Sequence, residues 1–243
     1  MDRDSGRSPA SQHLRPKTQD PEPKTQDPRP KTQDPKPKTQ DPRPYVTLVS
    51  GLPRSGTSMM MRIIEAGGIP ALTDHLRQPD EDNPSGYFEF EPVKRTRTDP
   101  AWIGAAVGKA VKIVHLLLPD LPLTHAYRVV LMRRDLWEVV ASQKKMLCRR
   151  NRDAGQLPTE RWITLCREQL ERVRRHMMER PEHFRFIEAD YNHLVTGSTA
   201  PLEGISGLLD GLDLAAMLSV VDKRLYRSRA TPSGGDYNAS GRN

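Results

Sequence analysis

A glycine-containing loop between an apolar run and a helix could bind a phosphate group. It lies in residues 48–68, LVSGLPRSGTSMMMRIIEAGG, and is expected to turn the chain sharply from Pro53 onward. Gly56 lets the backbone approach an anion closely, and the N–H groups of residues 55–58 are expected to point into the turn. They would lie at the positive end of the next helix, where anions are stabilised, and Arg54 adds a cation. The stretch therefore predicts a phosphate-binding site.

The same loop differs from the triphosphate-binding pattern G-x-x-x-x-G-K-[ST]. Gly51, Gly56 and Ser58 fit this pattern, whereas Thr57 stands where the lysine belongs. In ATP-hydrolysing enzymes that lysine bridges the β- and γ-phosphates beside a magnesium ion. Its absence argues against a triphosphate ligand.

A second pair of residues could hold another anion. In residues 129–147, VVLMRRDLWEVVASQKKML, a predicted strand runs into Arg134 and then into a helix. Asp135 and Glu138 have the spacing of a helix N-cap pair. Ser142 follows Arg134 by eight residues, about 12 Å along a helix, so the long arginine could lean toward the serine and share an anion with it. An arginine at a strand end and a serine on a helix are also common without any ligand.

The elements that would position these residues alternate between strand and helix. Short runs rich in β-branched residues predict strands over 45–50, 110–115, 127–132 and 184–188, and apolar periodicity predicts helices over 57–66, 135–149 and 158–179. Strands separated by helices form right-handed crossovers. The pattern predicts a single α/β domain with a central parallel sheet flanked by helices. Ligands of such sheets bind at the carboxyl ends of the strands, where the loop lies.

A repetitive tail precedes this domain. The unit PKTQDP begins at Pro16, Pro23, Pro30 and Pro37, and ten of the 22 prolines precede Tyr45. Such a segment buries too little apolar surface to offset its ordering entropy. We expect an extended tail over residues 1–44, a domain over 45–230 and a flexible C-terminal tail over 231–243. The repeats could be a partner-binding arm or an expansion without a specific role.

Charge and composition exclude several classes of function. The net charge of +7 suits an anionic ligand and also an ordinary solvated surface. With 5% aromatic residues and no recognisable nucleic-acid module, we do not expect nucleic-acid binding. The seven histidines lack the spacing of metal ligands, so no metal is expected. No apolar run approaches the length of a membrane span, and the chain start lacks an apolar signal region, so we expect a soluble cytoplasmic protein.

The two candidate sites together resemble a known family. The first motif is PRSGTS after the first strand. The second is an arginine at the end of a later strand, followed eight residues later by a serine on a helix. Together they resemble the nucleotide-binding motifs of sulfotransferases that use 3′-phosphoadenosine 5′-phosphosulfate (PAPS). The resemblance covers most of residues 45–225 and implies a P-loop-like α/β fold, as in P-loop nucleoside triphosphatases. It implies that the 5′-phosphosulfate is bound by the loop residues Pro53, Arg54, Ser55, Gly56, Thr57 and Ser58. The 3′-phosphate would be bound by Arg134 and Ser142.

The resemblance also implies a reaction and its partners. A sulfuryl group would move from PAPS to a hydroxyl or amine of a small molecule, glycan or peptide, leaving the bisphosphate PAP as product, without a metal. Arg54 stands where cytosolic members have a lysine and would stabilise the leaving phosphate, although arginine is a poor proton donor. Nothing in the sequence identifies the acceptor or the oligomeric state. Near the C-terminus, Arg227 and Arg229 could contact the nucleotide.

The base that takes the acceptor proton has more than one candidate. GKAVKIVHLLLPDLP, residues 108–122, resembles the family segment K-T-H-L-P, whose histidine is the base, and this implies His115. The match departs from the family because Lys112 precedes His115 by three residues instead of two. Glu89 or Glu91 in NPSGYFEFEPVKR could instead serve as the glutamate base of other branches. Without a catalytic role, His115 would cap a strand end and the glutamates would be surface charges on an alternating strand.

Two other functions remain open from the sequence. A small P-loop kinase using ATP could employ Asp190, which follows a predicted strand, as a metal-binding aspartate, but the missing loop lysine argues against it. A catalytically silent nucleotide-binding protein would keep the loop and lose the chemistry.

Overall fold

The computed structural model describes residues 43–77, 80, 86–149 and 157–221. The predicted tail over residues 1–44, apart from its last two residues, lies outside this part of the chain. The predicted C-terminal tail over 231–243 also lies outside it, as do the candidate nucleotide contacts Arg227 and Arg229.

A parallel sheet forms the centre of the described domain. Its strands are β1 (Tyr45–Gly51), β2 (Ala110–Val114), β3 (Ala126–Arg133) and β4 (Phe184–Asp190). They are arranged in the order β2-β1-β3-β4, and each neighbouring pair is parallel. Gly51 at the end of β1 is in register with Val114 on one side and Met132 on the other, so three strands end at one level.

Helices connect the strands. They are α1 (Thr57–Ala66), α2 (Trp102–Ala106), α3 (Leu136–Arg149), α4 (Thr159–Met178), α5 (Tyr191–Thr196), α6 (Ala200–Leu208) and α7 (Leu214–Ser219). Short 3-10 helices span Glu91–Arg95 and His115–Asp120. Within the described ranges, no helix is both long and apolar enough to span a bilayer.

Both faces of the sheet are covered because its strands are apolar on both sides. On one face, Val46 and Leu48 of β1 belong to a buried cluster with residues of α2, α3 and α4. On the other face, Val49 packs in a second cluster with residues of α1, α5, α6 and α7. Strands buried on both sides are typical of parallel sheets between helical layers. The predicted fold, a single α/β domain with a central parallel sheet flanked by helices and a P-loop-like loop after β1, is confirmed.

Two local predictions are wrong. His115 does not end a strand: β2 stops at Val114, and His115 begins a 3-10 helix. Glu89 and Glu91 do not lie on an alternating strand, since residues 86–90 are irregular and Glu91 begins the other 3-10 helix. Phe88 has a φ of 51°, in the left-handed region, which a β-strand cannot accommodate.

Candidate phosphate-binding site

The loop after β1 makes a tight turn into α1. The backbone N–H of Ser55 donates to the carbonyl of Leu52 at 3.1 Å. Arg54 has a φ of 74° and Gly56 a φ of 95°, both in the left-handed region. A Cβ atom on Gly56 would lie 2.4 Å from Cδ2 of Tyr191, so only glycine fits there. The turn therefore depends on one glycine and one strained arginine.

The start of α1 has the features of an anion site. Among the described residues no side chain caps this N-terminus, and the first turn, which begins at Thr57, has no acidic residue. Within the described residues, neither a cap nor a first-turn carboxylate thus compensates the positive end of the helix. Beneath the loop, Oγ of Ser55 is buried and has no hydrogen-bond partner in the described part of the chain. A phosphate oxygen could satisfy such a hydroxyl, so the residues present fit a phosphate.

Arg54 contacts both Arg134 and Ser142, and all three residues were predicted to bind phosphate. Nε of Arg54 donates to Oγ of Ser142 at 3.0 Å. Nη1 of Arg134 donates to the backbone carbonyl of Arg54 at 3.1 Å. The guanidinium of Arg134 also lies over the ring of Tyr191, 4.4 Å from its centroid. Arg54 of the loop therefore contacts both the residue before α3 and a residue within the helix.

Glu138 and Asn192, which were not predicted to belong to the site, hold Arg134 in place. Glu138 accepts a 2.9 Å bond from Nε of Arg134, and the side chains are only 2% and 8% exposed. Glu138 also accepts from Nδ2 of Asn192 at 3.2 Å. The backbone N–H of Glu138 donates to Asp135 at 3.0 Å, so only Asp135 caps the helix as the capping pattern predicted. The spacing of four residues between Arg134 and Glu138 was the available signal for their ion pair.

Gln143, next to Ser142 on α3, was also missed. Its Nε2 donates to the carbonyl of Pro53 at 2.8 Å, and this bond fixes the first residue of the turn. The sequence carries no signal for this contact, because it depends on how α3 packs against the loop.

Lys112 connects Glu89 to the first turn of α1. Nζ of Lys112 donates to the carbonyl of Tyr87, which also accepts from Oγ of Ser58 at 3.4 Å. Oε1 of Glu89 lies 3.9 Å from Nζ of Lys112. Burial, opposed by Glu89 and assisted by Arg77, lowers the pKa of Lys112 from 10.5 to about 8. A lysine with this pKa can gain and lose a proton near neutral pH.

The described contacts of Glu91 are with residues outside the loop. Its carboxylate accepts from Nζ of Lys94 at 2.6 Å, and its side chain is 57% exposed. Its backbone N–H donates to Asp74 at 2.6 Å. Of the two glutamates, Glu89 is therefore the one with a described contact to Lys112.

His115 lies beneath the sheet edge and is 2% exposed. Its Nδ1 faces the carbonyl of Gly51 at 3.2 Å, and its Nε2 lies 3.0 Å from the side-chain amide of Gln169 on α4. The atom of Gln169 that faces Nε2 is Oε1, which like the carbonyl of Gly51 can only accept, so the ring donates in each bond and both bonds form when both ring nitrogens carry a proton. Burial lowers the pKa of His115, although both bonds oppose this. Through these two contacts the ring links the end of β1 to α4.

Asp190 is occupied as a helix cap. Its Oδ1 accepts from the backbone N–H of His193 at the start of α5, at 3.0 Å. In the sheet it is in register with Arg133 on β3, and β3 separates it from β1. In the described part of the chain, no group of three or more acidic, histidine or cysteine side chains is arranged to hold a metal.

Comparison with known proteins gives similarity only among solved structures. No family model matches the chain, and no curated protein sequence matches it. One similar structure is described as "Sulfotransferase Domain from the Curacin Biosynthetic Pathway", with 15% identity, a TM-score of 0.43, and coverage of 74% of this chain and 78% of that chain. Another is "Sulfotransferase Domain from the Synechococcus PCC 7002 Olefin Synthase", with 14% identity, a TM-score of 0.44, and coverage of 83% of this chain and 94% of that chain. Similarity at this level assigns no substrate and no residue role to this chain.

Proposed function

We propose that this protein is a sulfotransferase that moves the sulfuryl group of PAPS to a hydroxyl or amine acceptor. The observation that carries the proposal is the contact of Arg54, Arg134 and Ser142 at a glycine loop that lacks a triphosphate-binding lysine. PAPS has one phosphate bonded to a sulfuryl group and a separate 3′-phosphate on the ribose. Such a donor has no β,γ-phosphate bridge, so two neighbouring anion sites suit it.

The loop would bind the 5′-phosphosulfate. Backbone N–H groups at the uncapped start of α1 and the buried hydroxyl of Ser55 are donors suited to its oxygens. Arg134 and Ser142 would bind the 3′-phosphate. Glu138 fixes Nε of Arg134, so the guanidinium is oriented before the donor arrives.

Transfer requires one bond to form and one to break. The acceptor oxygen or nitrogen attacks sulfur in line, the bond from sulfur to the bridging oxygen of the 5′-phosphate breaks, and the acceptor proton passes to a base. Negative charge develops on the departing phosphate, where Arg54 and the N-terminus of α1 stabilise it. Arg54 acts through charge and does not give up a proton.

Glu89 is the base we propose. It lies 3.9 Å from Lys112, and Lys112 shares the Tyr87 carbonyl with Ser58 at the start of α1. Lys112 supplies positive charge between this carboxylate and the donor. Both ring nitrogens of His115 are engaged inside the protein, and we propose that it supports the loop through Gly51.

Calorimetric titration with 3′,5′-adenosine bisphosphate and with Mg-ATP tests the proposal. We expect tight binding of the bisphosphate that EDTA does not change, and weaker binding of Mg-ATP. A preference for Mg-ATP would favour the kinase alternative and reject the sulfotransferase.

A further inference from the structure

An arginine outside the loop contacts Glu89 and the residue two positions before it. Nη1 of Arg77 donates to Oε1 of Glu89 at 2.7 Å, and its guanidinium carbon lies 3.3 Å from the ring centroid of Tyr87. Nη2 lies 3.8 Å from the carboxylate of Asp80. A planar guanidinium with a carboxylate on two edges and a ring on its face is held in one orientation.

The chain around Arg77 is built to reach Glu89. The carboxylate of Asp74 accepts from the backbone N–H of Leu76 at 3.0 Å, which folds residues 74–76 into a turn. The carbonyl of Glu89 accepts from the backbone N–H of Asp74 at 3.1 Å and from Oγ1 of Thr73 at 2.9 Å. Residues 73–77 therefore hold both the backbone and the side chain of Glu89.

Glu89 needs such support because it belongs to no helix or strand. It follows Phe88, whose left-handed backbone conformation is costly for an aromatic residue. Besides Arg77, Lys112 lies 3.9 Å from the Glu89 carboxylate, and Lys94 also interacts electrostatically with Glu89. Without Arg77, the carboxylate would rotate freely or pair fully with Lys112.

We infer that Arg77 is a positioning residue: it directs the Glu89 carboxylate and sets the charge balance between Glu89 and Lys112. The role assigned to Glu89 rests on the proposed function. Arg77 forms an ion pair with Glu89 and neutralises its charge, so Glu89 does not need Lys112 as a full counter-ion. The charged groups acting on Lys112 are Glu89 and Arg77, with opposite effects on its pKa.

The proton equilibrium of Lys112 tests this inference. The pH titration of its Cε–Hε signals by NMR would be compared in wild type, Arg77→Met and Arg77→Lys, with Lys112→Met for assignment. Methionine keeps an apolar stem over Tyr87 and removes the charge, whereas lysine keeps the charge. We expect Arg77→Met to raise the Lys112 midpoint by roughly half a unit or more, and Arg77→Lys to leave it near the wild-type value.

Arg97→Met is the matched control, because Arg97 pairs with Asp120 at 3.2 Å outside this cluster. It should leave the Lys112 midpoint unchanged. If Arg77→Met folds and Lys112 keeps its wild-type midpoint, the inference is overturned. A residue that only stabilises the fold would not change the Lys112 midpoint. If Arg77→Met does not fold, Arg77→Gln replaces it, with the same upward shift expected and an unchanged midpoint again overturning the inference.

Binding of 3′,5′-adenosine bisphosphate separates the two proposals. Among the contacts described, Arg77 touches neither the loop nor Arg134, so its variants should bind the bisphosphate as wild type does. If the wild-type protein does not bind the bisphosphate, the proposed sulfotransferase function is rejected. The Lys112 titration still decides the role of Arg77 in that case.

Discussion

Arg134 has a charged partner within the protein before any nucleotide binds. Its pair with Glu138 is almost fully buried, and Asn192 bonds to the same carboxylate. A buried ion pair of this kind costs desolvation energy and is weak evidence for stability. The pair instead orients the guanidinium of Arg134, which also donates to the carbonyl of Arg54 in the strained turn.

Arg134→Ala should weaken binding of 3′,5′-adenosine bisphosphate far more than binding of 5′-AMP. A hydrogen bond to a charged group contributes about 1.5–3 kcal/mol, so the bisphosphate should lose roughly tenfold or more in affinity. Calorimetry with both nucleotides measures the difference. Glu138→Gln, which keeps the shape of the partner, is the control for a disturbed junction. Equal losses for the two nucleotides would mean that the 3′-phosphate binds elsewhere.

Lys112 should make stability depend on pH in a defined window. Its pKa is about 8 in the folded chain and 10.5 as the reference for the unfolded chain. Between these values the unfolded chain holds more protons, so the unfolding free energy rises as pH increases from 8 to 10.5. Below pH 8 the charged, buried amine is destabilising, by at most about 3 kcal/mol.

Urea unfolding of wild type and Lys112→Met at pH 7 and pH 10 measures this effect. The stability of wild type relative to the variant should increase between the two pH values. Lys145→Met removes an exposed lysine from α3 and should give no such change. Parallel pH dependences for wild type and Lys112→Met would contradict the assigned pKa shift.

At the scale of elements, α1 depends on the turn that precedes it. Gly56 combines a left-handed backbone with a position where a Cβ would collide with Tyr191 of α5. The same ring lies against Arg134. A side chain at position 56 would therefore disturb the start of α1, the position of α5 and the arginine together.

Gly56→Ala should lower the unfolding free energy by about 1–3 kcal/mol and weaken bisphosphate binding. Gly104→Ala is the matched control, because Gly104 lies within α2 and an added Cβ would meet nothing within 4 Å. Alanine in a helix interior is neutral or stabilising there. Unfolding by urea measures the unfolding free energies of both variants. Equal stability of the two variants would show that the turn tolerates a side chain.

The regular elements could be predicted from sequence, and the contacts between irregular segments could not. The strands follow from β-branched runs, and the Arg134/Ser142 spacing pointed to residues that lie together in the structure. The network of Lys112, Tyr87 and Glu89 depends on a left-handed Phe88, which no local pattern specifies. The burial of His115 was missed because the chain leaves β2 one residue earlier than its apolar pattern suggested.

At the scale of the whole molecule, the loop is held from both layers of helices. β1 lies inside the sheet, between β2 and β3. Tyr191 approaches Gly56 from the α5 side, and Ser142 and Gln143 approach from α3 on the opposite face. His115 adds a link from Gly51 to α4. The geometry of the loop is thus a property of the packed domain, and a separate peptide of its sequence would not reproduce it.

The bond between Arg54 and Ser142 has a consequence for the heat released on binding. A phosphate oxygen would accept from the O–H of Ser142, while the oxygen of the same hydroxyl accepts the 3.0 Å bond from Nε of Arg54, so the new hydrogen bond does not require the loss of the existing one. The measured enthalpy then includes a hydrogen bond gained at Ser142 with none lost at Arg54, less the bonds to water that both groups give up. Affinity would come mainly from charge attraction in a turn that is already folded, and added salt should reduce it.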